Sequence, residues 1–168
     1  RTGTAGEKLA YENITAQFIN TGLVPIQSNG SFLQEFEVKE GKEINDETFF
    51  SVNDQQLTLK EDYFPLVFSP NGSVQCDAYL ALKEKGEIWF FDLSDLLNQN
   101  SNNPHFHLRD AIIKTAADFA NKGATAMIIY NSSSIADSIK FESKDKTDNT
   151  KIPVIYLSNK SKLKYLAD

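Results

Sequence analysis

The segment from residue 87 to residue 130 constrains the fold of this chain most. It contains two apolar runs, residues 88–91 and 126–130, each of a length typical of a buried strand. Between them, apolar side chains recur at every fourth position: Leu108, Ile112, Ala116 and Ala120. This spacing predicts a helix with one apolar face. A strand, a helix and a strand in this order predict a right-handed βαβ unit with its two strands parallel. We expect the first strand to lie in the middle of a sheet, covered on both faces.

The two ends of the middle helix can also be predicted. Pro104 suits the first helical position, and Asn103 suits the N-cap before it. Gly123 should end the helix, because glycine readily adopts the left-handed conformation that follows many helices. The asparagine-rich residues 98–103 predict a loop in front of the helix.

An amphipathic helix is predicted near the start of the chain. Thr4 and Glu7 fit a capping box, and Gly22 followed by Pro25 marks the end of the helix. Its apolar side chains recur in steps of four: Ala10, Ile14 and Phe18.

The remaining segments predict short strands joined mainly by turns. We predict strands over residues 31–38, 63–68, 76–82 and 153–157, a hairpin over 48–59 that turns at Asn53 and Asp54, a solvated loop over 142–151, and a last helix over 160–167. Because most of these strands are connected as hairpins, we expect a largely antiparallel sheet system. The predicted fold class is mixed α/β, a strand-rich body with one main packed helix and a separate N-terminal helix.

Charge and cysteine content exclude several functional classes. Seventeen Lys and Arg against 23 Asp and Glu give a net charge of −6, and an acidic surface repels nucleic-acid backbones. No apolar run approaches the roughly 20 residues of a membrane span. The single cysteine, Cys76, can form neither an internal disulfide nor a thiolate zinc site by itself, and we expect a small buried side chain.

The sequence offers little material for catalysis. Both histidines, His105 and His107, lie at the predicted helix start, where positions i and i+2 point in different directions. A metal site with Asp110 is the alternative to a solvated or capping pair. Asp92 ends a buried strand, where loops commonly build sites, but capping of a turn is the favoured interpretation. No phosphate-binding loop, zinc-binding helix motif or nucleophile elbow occurs.

Three segments together resemble the protease-associated (PA) domain. They are Gly86 with the apolar run to Asp92, Lys122-Gly123-Ala124 with the apolar run to Tyr130-Asn131, and Ile152-Pro153-Val154-Ile155. Gly86, Gly123, Ala124 and Pro153 are the structural positions of this motif. Ala124 is small enough for the helix to approach the sheet, and Pro153 suits the first position of a strand. The resemblance implies a β/β/α swivelling domain over residues 31–158.

The opening of the chain resembles a different protein, the start of zinc-dependent aminopeptidases of the glutamate carboxypeptidase and transferrin receptor clan. The residues that carry this likeness are 1–7, Ala10, Tyr11, Phe18, Gly22-Leu23, Pro25, Phe32, Gln34 and Phe36. Asn13-Ile14 departs from the pattern, since the family more often has an aromatic residue before the isoleucine. In many of these enzymes the PA domain is inserted after this helix. The implied organisation is residues 1–30 in the peptidase domain, 31–158 as the PA domain and 159–168 as the start of the return segment.

The two resemblances imply a non-catalytic part of a secreted, periplasmic or cell-surface peptidase. They place two zinc ions in a catalytic domain of the same polypeptide and none in this chain. That domain and peptide substrates would be the partners, with a homodimer through the N-terminal helix as a further one. Contacts to peptides would come from residues 99–104 and 132–138; the candidates are Asn102, Asn103, Asn131 and Ser132. The alternatives are a free-standing PA-type interaction module and the PA insert of another protease class, such as a subtilisin-like one.

Overall fold

A computed structural model of the protein describes residues 3–37, 41–77 and 79–166. The chain divides into two compact units, Arg1–Lys39 and Glu40–Asp168. The helices are α1 (Ala5–Asn20), α2 (Ser94–Asn100), α3 (Leu108–Lys122) and α4 (Asn159–Tyr165). The strands are β1 (Ser51–Val52), β2 (Gln55–Gln56), β3 (Tyr63–Pro65), β4 (Ile88–Asp92), β5 (Ala126–Tyr130) and β6 (Val154–Leu157). The mixed α/β class is therefore confirmed. No helix within the described ranges is long and apolar enough to cross a membrane.

The first unit contains α1, and both of its ends follow the sequence. The Thr4 hydroxyl accepts a hydrogen bond from the Glu7 amide at 3.4 Å, and the Glu7 carboxylate accepts one from the Gly3 amide. At the other end Gly22 has φ 75°, and the Leu23 amide donates to the Phe18 carbonyl at 3.0 Å. The left-handed Gly22 and the bond from Leu23 to Phe18 are the features of a Schellman motif. The predicted first helix is confirmed, but its predicted amphipathic character is wrong, since no residue of α1 is buried and the exposed Leu9 and Ile19 lie outside the predicted apolar face.

The strand predicted over residues 31–38 is wrong for the described part, residues 31–37, which carry no strand. Val38 lies outside the described residues. The Leu33 amide instead donates to the Ser31 hydroxyl at 2.9 Å, a local bond that competes with strand pairing. Alternating side chains stabilise a strand only when a neighbouring strand pairs with it, and none is formed among the described residues of this unit.

The second unit is built on a four-stranded sheet with the order β3-β6-β5-β4. β4 pairs with β5 in parallel, and β5 pairs with β6 in parallel, whereas β3 pairs with β6 antiparallel. The parallel pairing predicted for the βαβ unit is confirmed. The expectation of a largely antiparallel system is wrong, because the segment between β5 and β6 is too long for a hairpin and returns the chain in the same direction.

An apolar core covers each face of the sheet. α3 packs on one face, where the rings of Trp89 and Phe119 lie 5.0 Å apart in an edge-to-face contact. The core on this face contains Trp89, Leu93, Ile112, Ala116, Phe119, Met127, Ile129 and Val154. The core on the opposite face contains Leu57, Tyr63, Phe90, Ile128 and Leu157. β4 is thus covered on both faces as predicted, but it is an edge strand of the described sheet rather than a central one.

Several element boundaries differ from the prediction. α3 begins at Leu108 with His107 as its N-cap, not at Pro104, because the Asn103 side chain accepts a hydrogen bond from the His105 amide at 3.0 Å and forms a separate turn. Residues 98–100 belong to α2, which shortens the predicted loop. α4 begins one residue earlier than predicted, after the Ser158 cap, and Ala167 lies outside the described residues.

The segment before β4 follows the prediction only in part. The hairpin is confirmed, with Asn53 and Asp54 at φ 50° and 62° between β1 and β2, as a type I′ turn requires. The strand predicted over residues 63–68 is three residues long, Tyr63–Pro65.

The strand predicted over residues 76–82 is wrong for residues 76, 77 and 79–82, and Ala78 is not described. There the Leu82 amide donates to the Tyr79 carbonyl at 3.3 Å and closes a turn. Cys76 is half-buried rather than fully buried, with its sulfur 3.9 Å from the Thr125 hydroxyl.

The motif glycines meet where the parallel pair begins. The Gly86 amide donates to the Gly123 carbonyl at 2.8 Å, and both glycines have positive φ, 89° and 103°. Ala124 is buried directly after the helix end, and Pro153 precedes β6 and accepts from the Met127 amide at 2.9 Å. These contacts fix the register at the start of the parallel strands.

Gly123→Ala should destabilise the fold more than Gly86→Ala. Both substitutions place a side chain at positive φ, which costs about 1–2 kcal/mol. Only at Gly123 would the new Cβ also lie 2.9 Å from the Lys85 Cγ, whereas at Gly86 nothing lies within 4 Å. Urea unfolding should show a loss of about 2–3 kcal/mol for Gly123→Ala. Equal losses for the two variants would contradict the role of the close contact.

Candidate functional site

The carboxyl ends of β4, β5 and β6 lie at one edge of the sheet, because these three strands are parallel. In open α/β sheets this edge is where ligands most often bind. α2 follows β4 there, and the loop of residues 131–138 follows β5. α2 and the loop of residues 131–138 therefore leave the sheet on the same side, and the predicted contact residues 102 and 103 lie on the turn after α2.

Asp92, the last residue of β4, bonds to the start of α2 and to the loop after β5. Its carboxylate accepts hydrogen bonds from the Ser94 amide at 2.9 Å and the Ser132 amide at 3.1 Å, and also from the Ser132 hydroxyl. The bond to Ser94, two residues along the chain, is the turn-capping role predicted for Asp92. The bonds to Ser132 tie the end of β4 to the loop after β5.

The hydrogen bonds of Asp92 determine its charge. Burial has the largest single influence and raises the pKa of Asp92, but the bonds from Ser132 and Ser94 together outweigh it and hold the pKa below its usual range. The carboxylate is therefore ionised at neutral pH. A carboxylate with a lowered pKa is a weak general base, so the Ser132–Asp92 pair favours a structural role over a hydrolytic one.

Asn131 is the buried centre of the loop after β5, with 8% of its surface exposed. Its amide nitrogen donates to the Ile135 carbonyl and to the Asp137 carboxylate, both at 2.8 Å. Its amide oxygen accepts from the Ser133 amide at 3.0 Å and the Ser133 hydroxyl at 2.7 Å. These four bonds use the full capacity of an asparagine side chain. Asn131 therefore shapes the loop with the same atoms that would otherwise contact a ligand.

Asp137 and Tyr156 extend this polar cluster toward β6. The Tyr156 hydroxyl donates to the Asp137 carboxylate at 3.0 Å, and the ring of Tyr156 stacks on Phe64 with centroids 5.1 Å apart. Burial raises the pKa of Tyr156, and the neighbouring charge of Asp137 raises it further. The phenol is therefore a permanent donor at physiological pH. We define the Asp92–Ser132 pair and the group of Asn131, Asp137 and Tyr156 as the polar edge.

Sequence reasoning missed Tyr156 and gave Asp137 no role. A signal was present, because Ile135, Asp137, Ile139 and Phe141 alternate with exposed residues and their side chains are half-buried. Such alternation along a loop indicates that one acidic side chain points inward together with three apolar ones. A buried carboxylate of this kind requires donors nearby.

The other predicted contact residues lie on the exposed turn between α2 and α3. Asn102 and Asn103 are exposed, and so are His105 and His107. The structure does not bring the two histidines together with Asp110 as metal ligands. Across residues 3–37, 41–77 and 79–166, no three His, Cys, Asp or Glu side chains are grouped so that they could hold a metal ion.

A groove of about 880 Å³ lies on the second unit at the opposite ends of the parallel strands. Its walls are irregular segments, residues 42–51 and 69–76, and Ile88, Ala126 and Ile155 contribute to its floor. One wall is fixed by the Lys42 ammonium, which donates to the Thr147 carbonyl at 2.6 Å and to Asn149 at 2.9 Å. This groove could not be predicted from the sequence, because its walls have no periodic pattern.

Comparisons with protein-family models, with curated proteins and with solved structures found no match to this chain.

Asn131→Ala should destabilise the second unit strongly. The substitution removes four hydrogen bonds and leaves buried partners unsatisfied, which should lower the free energy of unfolding by about 2–4 kcal/mol. Asn102→Ala is the matched control, because the Asn102 side chain is exposed, and it should change stability by less than about 0.5 kcal/mol. Urea unfolding of both variants measures the difference. Similar stabilities would contradict the structural role of Asn131.

Tyr156 should make the fold sensitive to alkaline pH. Its folded pKa lies above the unfolded value of about 10, so its contribution to stability is complete below pH 10 and is lost as the pH rises further. Tyr156→Phe should be less stable than the wild type near pH 8, and the gap should shrink toward about pH 12. Urea unfolding at a series of pH values measures this gap. A constant gap across the series would show that the raised pKa contributes no stability.

Proposed function

We propose that this chain is a non-catalytic, protease-associated region of a secreted or cell-surface zinc aminopeptidase, and that it shapes the access of peptides to a catalytic domain of the same polypeptide. The supporting observation is the placement of the three segments that resemble the PA domain. They lie far apart in the sequence, yet they form β4, β5 and β6, the three neighbouring parallel strands of one sheet.

The contacts between these segments also support the proposal. The Gly86 amide bonds to the Gly123 carbonyl where the first two segments meet, and the Pro153 carbonyl accepts from Met127 where the third joins them. The glycines have the positive φ that their place in the motif requires. The motif residues thus take part in the contacts that join the three segments. Three segments that resembled the motif only by chance would not need to be joined in this way.

The polar edge provides a rigid base for peptide contacts. Because the side-chain bonds of Asn131 are all made within the chain, the contacts to a peptide fall to the exposed Asn102, Asn103 and Ser132. Asparagine amides both donate and accept, so they can bind the main chain of a peptide without selecting its sequence. The Ser132 hydroxyl is committed to Asp92 and the Asn103 amide oxygen to the His105 amide, which leaves Asn102 and the amide nitrogen of Asn103 as the main candidates.

We assign the zinc ions of the proposed parent enzyme to its catalytic domain. The described residues provide no donor set that fits a zinc ion, and the two histidines sit on an exposed turn. The role proposed for this chain is therefore to position peptides and to restrict their entry, with every metal-dependent step carried out by the catalytic domain.

The experiment uses the complete natural polypeptide and the double variant Asn102→Ala/Asn103→Ala. For long peptides the kcat/KM of this variant should be about 3-fold to 10-fold lower than that of the wild type, as expected for one or two lost hydrogen bonds. A short chromogenic aminoacyl substrate should be cleaved as by the wild type, because it does not reach the loops. Asn121→Ala is the matched control, an exposed asparagine at the end of α3 away from this edge.

Two outcomes would overturn the proposal. If the double variant cleaves long and short substrates as the wild type does, the loops do not shape access. If the natural reading frame beyond codon 168 encodes no metal-ligand histidines and acidic residues, the chain is not part of a zinc peptidase. The free-standing interaction module would then replace the proposal.

A further inference from the structure

The chain contains two Asn-Gly dipeptides, Asn29-Gly30 and Asn71-Gly72, and a serine follows each of them. Asparagine is a thermolabile residue, and it is least stable before glycine. The reason is that the main-chain nitrogen of the glycine can attack the side-chain amide of the asparagine, and glycine has no side chain to hinder this approach. Since both dipeptides have the same chemistry, the structure around each one determines how fast it reacts.

The first dipeptide is held by two hydrogen bonds. The Gly30 amide donates to the Gln27 carbonyl at 3.0 Å. The Asn29 side-chain oxygen accepts from the Ser31 amide at 2.9 Å. The first bond occupies the hydrogen of the nitrogen that would attack, and the second holds the side chain toward the amide of Ser31 instead of that of Gly30. Both bonds must therefore break before this dipeptide can react.

The second dipeptide has no such restraint. It lies in the irregular segment of residues 69–76, and both Asn71 and Gly72 are exposed. Neither the Gly72 amide nor the Asn71 side chain forms a hydrogen bond with any residue that the structure describes. Water and hydroxide therefore reach both groups, and the Gly72 nitrogen can lose its proton without first breaking a bond within the chain.

We propose that Asn71 is a site of spontaneous deamidation, with water as the only co-reactant. The deprotonated Gly72 nitrogen forms a bond to the side-chain carbonyl carbon of Asn71. The bond from that carbon to the side-chain nitrogen breaks, and the nitrogen takes up a proton and leaves as ammonia. Water then opens the resulting succinimide ring. Cleavage at the side-chain carbonyl gives aspartate, whereas cleavage at the main-chain carbonyl gives isoaspartate.

The reaction changes the wall of the 880 Å³ groove, because Asn71 and Gly72 both line it. The asparagine amide donates and accepts hydrogen bonds, whereas the product carboxylate only accepts them and adds one negative charge to a chain whose net charge is −6. Isoaspartate also lengthens the main chain beside Pro153, which precedes β6. The charge and shape of the groove wall thus depend on the age of the molecule. This inference does not rest on the proposed peptidase function.

Peptide mass mapping of the purified chain, incubated in warm, mildly alkaline buffer made with oxygen-18 water, tests the proposal. In the folded chain Asn71 should lose its amide about 10-fold to 100-fold faster than Asn29, because two hydrogen bonds protect Asn29. The product at residue 71 should contain one oxygen from the labelled water and should include isoaspartate. In the urea-unfolded chain both bonds are lost, so the two Asn-Gly-Ser sequences should react at similar rates.

Gly72→Ala is the matched control variant. Its Cβ would lie 3.8 Å from the Pro153 Cγ, an ordinary contact, and Gly72 is not at positive φ, so urea unfolding should show no loss of stability. The new methyl group crowds the attacking nitrogen and should slow deamidation of Asn71 by at least about 10-fold. Equal rates at Asn71 and Asn29 in the folded chain would overturn the proposal. So would a Gly72→Ala variant that reacts as fast as the wild type, because the Gly72 nitrogen would then not be the attacking group.

Discussion

The second unit depends on one hydrogen bond, from the Gly86 amide to the Gly123 carbonyl. It lies where β4 and β5 begin, just after α3 ends with Gly123 in the left-handed conformation. Ala124 follows directly and is buried, so the helix lies close to the sheet. Once β4 and β5 are parallel, the long segment after β5 brings β6 to the same orientation. The carboxyl ends of the three strands then lie at one edge.

The polar edge follows from that arrangement. Loops that leave neighbouring parallel strands on the same side are brought together, and their polar groups must be satisfied where they are buried. Asp92 receives three hydrogen bonds, and Asn131 makes four. Asp137 accepts from both Asn131 and Tyr156. This is why the residue predicted as a ligand contact, Asn131, has a structural role. A polar side chain in a loop sequence does not reveal whether its partners are in the chain or in a ligand.

Elements could be predicted from the sequence where the signal lies within a few residues. They could not be predicted where the structure depends on pairing with a distant segment of the chain. The caps of α1, the glycine that ends α3 and the positive-φ pair of the β1–β2 turn are all determined within four or five residues. The βαβ unit was also predictable, because strand, helix and strand in succession leave one handedness. Strands were predicted over 31–38, from alternation, and over 76–82, but a segment becomes a strand only when another strand pairs with it. Pro104 was compatible with a helix start, but the turn capped by Asn103 satisfied the same backbone groups earlier.

The two units differ in what stabilises them. The second unit has two apolar cores on the faces of one sheet. In the first unit, α1 has well-formed caps at both ends but no buried residue. Most helices in proteins gain their stability chiefly from burying an apolar face. Because the large apolar side chains of α1, such as Ile14 and Ile19, are exposed, its caps contribute a larger share of its stability than burial does.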